Sequence, residues 1–91
     1  MSRSQWFLYI LETANGHLYT GITTDVTRRI NEHEQGKGAK YLRGKNPLTL
    51  RLSMPCKDRS VASQLEHKVK CLSRTEKLAL IRTPERLARL D

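Results

Sequence analysis

Residues 6–23 read WFLYILETANGHLYTGIT, and this stretch decides the fold. Its first part, residues 6–11, is short, aromatic and β-branched, which predicts a strand that is covered on both faces. Asn15 and Gly16 predict a tight turn, and residues 18–23 predict the returning strand. The stretch as a whole therefore predicts an N-terminal β-hairpin.

The length of the hairpin loop decides whether Tyr9 and Tyr19 lie together. A two-residue turn of Asn15 and Gly16 would place the two rings on opposite faces, because side chains alternate along a strand. A three-residue loop of residues 14–16, with Gly16 left-handed, places both rings on the same face. A site that uses both tyrosines requires the longer loop, and two ordinary strand tyrosines are the alternative.

The segment after the hairpin predicts one helix and a third strand. Thr24 or Asp25 can cap the helix, and Gly36 and Gly38 end it. Residues 48–54 alternate apolar and polar side chains, which predicts a strand that Pro55 ends.

The C-terminal third of the chain predicts two further helices and a helical tail. Asp58 or Ser60 opens the first of these helices, whose apolar residues recur at helical spacing. The next helix spans residues 75–81, and residues 83–91 form a short tail. The element order is therefore β-β-α-β-α-α. We expect an α+β fold, in which a small three-stranded antiparallel sheet is flanked by helices.

Length and charge bound the class of protein. The 91 residues suit a single domain over residues 1–91, with a core of about residues 5–82. Lys and Arg total 17 against 9 Asp and Glu, which gives a net charge of +8. Such a surface attracts polyanions, so nucleic acid is the expected partner and a membrane surface the weaker alternative. No apolar run approaches the ~20 residues of a membrane span, so we expect a cytoplasmic protein that contacts no membrane.

Two titratable residues lie on the apolar face of the first predicted helix. Val26, Arg29, Ile30 and His33 are spaced so that they share one face. An inward Arg and His four residues apart indicate a site for an anion. A snorkelling Arg29 and a satisfied core His33 are the alternative.

Glu66 lies at the rim of the apolar stripe of the second predicted helix. A carboxylate at such a border is costly unless it is paired or bound to a cation. One carboxylate with water and phosphate oxygens is a normal Mg²⁺ site. A salt bridge, for example to Lys70, is the alternative.

The loop of residues 36–45 interleaves cations with glycines and one tyrosine, Tyr41. This composition suits contacts with phosphates and stacking on a base, although a solvated basic loop is the alternative.

Taken together, these residues resemble the GIY-YIG endonuclease family, and most closely its small stand-alone bacterial members. The two motif segments are residues 7–9 and 19–21, and the likeness runs from about residue 6 to residue 73. The resemblance makes Gly21 a structural motif residue and Glu66 the metal ligand. The catalytic positions that it implies are Tyr9, Tyr19, Arg29, His33 and Glu66.

The resemblance implies an endonuclease that depends on Mg²⁺ or Mn²⁺ and hydrolyses phosphodiester bonds. DNA is favoured over RNA, structured or damaged DNA in repair or recombination is a candidate substrate, and no small-molecule cofactor is expected. The metal held by Glu66 and the guanidinium of Arg29 would stabilise the phosphate, while Tyr9 would act as the base. The cations expected to bind the flanking strand are Arg28, Lys37, Lys40, Arg43 and Lys45.

The chain also departs from the family pattern. Phe7 and Leu8 replace the Gly and Ile of the first motif, and Thr20 replaces the Ile of the second. Many family nucleases use an Asn beyond the metal-binding Glu, but no Asn follows Asn46 here. Two other functions therefore stay open: a nucleic-acid-binding module with weak or lost catalysis, and a basic adaptor for an acidic protein partner.

Overall fold

The fold is a three-stranded antiparallel sheet with three α-helices. The computed structural model describes residues 5–86. In chain order, the elements are β1 (Trp6–Glu12), β2 (Leu18–Thr23), α1 (Val26–Glu34), β3 (Thr49–Cys56), α2 (Arg59–Lys70) and α3 (Arg74–Arg82). The strand order is β2-β1-β3, so the first strand is central. This architecture confirms the predicted α+β class and element order.

The register of the hairpin places the two tyrosines on one face. Tyr9 lies opposite Gly21, and Leu11 lies opposite Tyr19. Because Tyr9 and Leu11 are two residues apart on β1, their side chains share a face, and Tyr19 shares it with them. The opposite-face arrangement is therefore wrong for this chain.

The hairpin loop has the three residues that this register requires. The amide of Thr13 donates to the His17 carbonyl at 2.8 Å, and the amide of Gly16 donates to the Thr13 carbonyl at 2.9 Å. Gly16 has a φ of 86°, which is the left-handed conformation expected at the end of such a loop. Of the two loop lengths considered, the three-residue loop of residues 14–16 is therefore the one that the chain adopts.

Short polar side chains set where the helices begin. Asp25, not Thr24, caps α1 and accepts from the amide of Arg28 at 3.0 Å. Asp58, not Ser60, caps α2 in the same way. Such caps satisfy amides that have no partner within the helix. They fix the starting points of the two helices that flank the sheet.

The third strand runs further than predicted. It continues through Pro55, opposite Phe7, to Cys56, so the prediction that Pro55 ends it was wrong. β3 is an edge strand, where a residue without an amide hydrogen is tolerated. In the loop before β3, residues 40–42 form a 3₁₀ turn that the sequence did not predict.

The predicted C-terminal tail is only partly described. The amide of Arg86 donates to the Thr83 carbonyl at 3.0 Å and closes one turn after α3. Residues 87–91 of that prediction lie outside the described residues.

The sheet separates two apolar clusters. One face of β1, with Leu8 and Ile10, packs against α2 and α3. The other face carries Tyr9 and Leu11, which pack with Leu42 and Leu48 from the loop and with Ile30 of α1. Within residues 5–86, no helix has the length and apolar character needed to cross a bilayer. The face that carries the tyrosines is therefore the one covered by α1 and the basic loop.

Thr20, which replaces the Ile of the second family motif, is a position where a substitution should stabilise the protein. Thr20 is buried at 3% exposure, and its hydroxyl has no hydrogen-bond partner among the described residues. Thr20→Val removes an unpaired buried hydroxyl, so we expect the free energy of unfolding to rise by about 1 kcal/mol in urea denaturation. Thr23 is equally buried, but its hydroxyl accepts from the amide of Asp25 at 3.2 Å. Thr23→Val should therefore destabilise, and a loss of stability in Thr20→Val would contradict this explanation.

Candidate active site

The Tyr9 ring lies directly over Gly21 of the neighbouring strand. A Cβ on Gly21 would contact the Tyr9 hydroxyl and lie 2.6 Å from Cζ. Tyr9 is only 1% exposed, so its ring has no room to move away. Gly21 is thus needed at this position because any side chain would displace the Tyr9 hydroxyl.

His33 of α1 contacts the same hydroxyl. Its Nε2 lies 2.9 Å from the Tyr9 oxygen, and its Nδ1 accepts from the amide of Ala39 at 3.1 Å. An Nδ1 that accepts carries no proton, so the ring hydrogen of the neutral imidazole is on Nε2. His33 therefore donates to the oxygen of Tyr9. Burial, followed by the charge of Arg29, lowers the pKa of His33 and keeps it neutral.

The Tyr9 hydroxyl stays protonated at neutral pH. Its pKa is raised to about 12, first by burial and then by Tyr19, while Arg29 beside it lowers the pKa and Glu66 raises it. Tyrosine normally titrates near 10. Burial therefore outweighs Arg29, and Tyr9 is a hydrogen-bond donor in the substrate-free protein.

Arg29 is anchored by an acid on its own helix. Its guanidinium forms a 3.0 Å ion pair with Glu32 and lies beside the Tyr9 hydroxyl, and both contacts raise the pKa of Arg29. The side chain is 35% exposed, so solvent still reaches the guanidinium. An anchored, accessible guanidinium can bind an anion with little loss of side-chain entropy.

Tyr19 extends the site outwards as part of a row of rings. Its centroid lies 5.6 Å from that of His33 and 6.5 Å from that of Tyr9. On the outer side it stacks with Tyr41 at 6.2 Å and an interplanar angle of 18°. Lys45 lies 3.4 Å from the Tyr41 ring centroid. Tyr41 therefore stacks on another ring of the protein, and its stacking on a base stays a prediction.

Glu66 of α2 lies near this cluster but is paired with a lysine. Its carboxylate is 3.2 Å from Lys70 Nζ, as the alternative in the sequence analysis anticipated, and its side chain is 22% exposed. The charge of this carboxylate also raises the pKa of Tyr9. Within residues 5–86, no group of three or more His, Cys, Asp or Glu side chains could hold a metal. Mg²⁺ binds through one or two carboxylates plus phosphates and water, so a lone accessible Glu66 fits this ion.

The cations predicted to bind nucleic acid are spread along α1 and the loop. Arg28 and Lys37 line one hollow beside α1. Lys45 lies over Tyr41, and Arg43 Nε donates to the Gly36 carbonyl at 3.1 Å. Lys40 is exposed at the 3₁₀ turn. Arg43 therefore helps to fold the loop, while the other cations face solvent wholly or in part.

Sequence reasoning missed three features that hold the site. Gly38 packs against His33, where a Cβ would contact Nδ1 and lie 2.7 Å from Cε1. The amide of Ala39 sets the tautomer of that ring. Glu32 anchors Arg29, and its i+3 spacing was the one signal present in the sequence.

Comparison with known proteins gives matches over most of the chain. Residues 5–79 match the family model of the GIY-YIG catalytic domain. A UPF0213 protein of Photorhabdus laumondii is 57% identical over 81 residues, which cover 89% of this chain and 78% of that protein. A UPF0213 protein of Yersinia pestis is 55% identical over 87 residues, 96% of this chain and 92% of that protein. The solution NMR structure of a UPF0213 protein of Bacillus halodurans has a TM-score of 0.57 and 41% identity, covering 92% and 93% of the two chains.

Gly38→Ala should destabilise the protein through His33. The new Cβ would meet a ring that is 1% exposed, and overpacking of this kind costs about 1–3 kcal/mol of unfolding free energy. Urea denaturation measures the loss. In a His33→Ala background the same substitution should cost far less. An equal cost in both backgrounds would contradict the contact.

The tyrosine pKa values predict a late alkaline transition. In an ultraviolet titration, the component that Tyr9→Phe removes should be the one with a midpoint near pH 12. Because the folded pKa lies above the unfolded value of about 10, the contribution of Tyr9 to the unfolding free energy should be constant below pH ~10 and fall as the pH rises towards 12. Tyr9→Phe should flatten that fall. A removed component that titrates near its ordinary value would contradict the burial argument.

Proposed function

The chain belongs to the GIY-YIG family of nucleases, and we propose that it is a Mg²⁺-dependent endonuclease that hydrolyses phosphodiester bonds in DNA. One observation carries the proposal. Tyr9 from β1 and His33 and Arg29 from α1 meet at a single hydroxyl, with Tyr19 of β2 beside them. Hydroxyl, imidazole and guanidinium groups that converge in this way suit a phosphate centre.

Arg29 binds the scissile phosphate in this proposal. Its planar fork matches two non-bridging oxygens, and its contact with Glu32 holds it in place before substrate arrives. The guanidinium stabilises charge that develops on the phosphorane-like transition state. Tyr19, at the open side of the cluster, orients the phosphate or the attacking water.

Tyr9, supported by His33, accepts the proton of the attacking water in this proposal. Tyr9 takes a proton from water only when its own hydroxyl is ionised, and the Nε2–H of His33 together with Arg29 stabilises that ionised form. Burial opposes ionisation strongly enough that the resting pKa is about 12. The site therefore needs further positive charge before Tyr9 can serve as a base near neutral pH.

Glu66 is the residue that would hold the metal. When bound, Mg²⁺ supplies the Lewis acidity and positive charge that phosphodiester hydrolysis requires. The charge of Glu66 raises the pKa of Tyr9, so a cation held on its carboxylate would offset that effect and favour ionised Tyr9. Lys70 must release the carboxylate for this role, which requires a simple rotation of an exposed side chain.

The net charge of +8 supports binding to a nucleic-acid backbone with little sequence specificity. DNA is proposed as the substrate, with structured or damaged DNA as the candidate form, and a role in repair or recombination follows from that choice. The pairing of Glu66 with Lys70 favours a second candidate, a module that binds nucleic acid without cutting it. The two candidates differ in one assay.

Glu66→Gln should abolish cleavage while binding persists. Loss of the carboxylate removes the proposed metal ligand, so we expect at least a ~100-fold fall in the cleavage rate of plasmid and branched DNA with Mg²⁺. Glu34→Gln is the matched control, because it removes the same charge from an exposed position at the end of α1. Thermal unfolding of all three proteins checks that the fold is kept.

Two results would overturn the proposal. Full activity of Glu66→Gln would show that the carboxylate has no catalytic role. Binding of DNA by the wild type, with no cleavage in Mg²⁺ or Mn²⁺, would favour the non-cutting module instead.

A further inference from the structure

A second hollow lies at the loop end of the hairpin, beside the site described above. It has a volume of about 280 Å³. Its walls come from the hairpin, the 3₁₀ turn and α3, which are distant in sequence. The lining residues are His17, Leu18, Tyr41, Arg74 and Lys77.

The charge of this hollow has one sign. Arg74 and Lys77 on successive turns of α3 both line it, together with the titratable ring of His17. No Asp or Glu of the described residues is part of its lining. A concave surface with uncompensated cations attracts an anion and is not explained by internal ion pairing.

The walls are held together before any ligand arrives. Arg74 Nη1 donates to the Gly16 carbonyl at 2.5 Å, which ties α3 to the hairpin loop. The hydroxyl of Tyr41 lies 3.0 Å from Nδ1 of His17, which ties the 3₁₀ turn to the same loop. Lys77 makes no such contact in the described part of the chain, so its ammonium is available to a ligand.

The row of aromatic rings leads from the site into this hollow. Tyr19 belongs to the Tyr9 cluster, and Tyr41, which stacks on Tyr19, is itself part of the hollow's wall. Tyr41 is 48% exposed. A ligand that enters the site therefore meets the hollow one ring further along the surface, since the centroids of Tyr19 and Tyr41 are 6.2 Å apart.

We propose that this hollow binds the phosphodiester backbone of the same nucleic-acid strand, a few phosphates away from the one held at Arg29. The inference rests on the proposed function, because it assumes that the scissile phosphate lies at the Tyr9 cluster. Lys77 contacts the phosphate, and Tyr41, whose ring faces are covered by Tyr19 and Lys45, forms the wall beside it. Binding of a free small anion would leave the row of rings between the Tyr9 cluster and the hollow unexplained. An acidic peptide could bind the hollow without using that row.

The test compares Lys77→Gln with Lys57→Gln in the full chain. Lys57 is an exposed lysine next to Cys56, which pairs with Trp6 at the end of the sheet away from the hairpin loop. Anisotropy of a fluorescein-labelled DNA is measured without divalent metal over a series of salt concentrations. Removal of one phosphate contact should lower the slope of log K against log salt by ~0.7–0.9, with several-fold weaker binding at low salt. Lys57→Gln should leave the slope near that of the wild type.

Cleavage kinetics on substrates of different length supply the second measurement. With Mg²⁺ and a long substrate, Lys77→Gln should raise KM several-fold and leave kcat unchanged, because the lost contact is remote from the reacting phosphate. A substrate too short to span both sites should not distinguish the two variants.

The outcomes separate the two proposals. If the wild type neither binds nor cuts DNA, the proposed function fails and takes the inference with it. If the wild type binds and cuts, but Lys77→Gln matches Lys57→Gln in slope and KM, the hollow is not a strand-binding site and only the inference is overturned.

Discussion

The pairing of Tyr9 with Gly21 is the constraint on which the rest of the site depends. Because Gly21 has no side chain, the Tyr9 ring can occupy the space above it. The hairpin register pairs Leu11 with Tyr19, which brings Tyr19 to the same face as Tyr9. A slip of one residue would turn both tyrosines towards opposite sides of the sheet. The left-handed Gly16 in the loop fixes this register, so a turn conformation determines where the hydroxyls lie.

The polar groups around Tyr9 form a directed chain of hydrogen bonds. The Ala39 amide donates to His33, and His33 donates to Tyr9, which leaves the Tyr9 hydroxyl hydrogen for a different acceptor. Burial favours the neutral phenol of Tyr9, because it penalises the ionised form more than Arg29 stabilises that form. The site is thus prepared to stabilise a tyrosinate but does not form one unaided. This balance explains why a single nearby carboxylate, Glu66, matters so much in the proposed mechanism.

Local signals in the sequence predicted the elements, and tertiary contacts determined the rest. Asn15 and Gly16 predicted a tight turn, because turn chemistry is local, but they left open the loop length that sets the register. Pro55 was misjudged, since its tolerance depends on β3 being an edge strand, which only the assembled sheet decides. Gly38 was taken as a helix end, because its contact with His33 arises from a loop with no periodic pattern. Hairpin parity and helical spacing singled out the tyrosines, the arginine and the glutamate as candidates but left their roles open, and the family resemblance supplied those roles.

The central claim is that groups from the hairpin, α1 and α2 converge on one centre that a metal ion can reach. Paramagnetic relaxation by Mn²⁺, measured by NMR on the full chain, tests this most directly. The account predicts that substoichiometric Mn²⁺ broadens the signals of Glu66, Tyr9 and Tyr19 together, and that Glu66→Gln abolishes the effect. Broadening centred on other acids, such as Glu34, with the tyrosine signals unchanged, would contradict it.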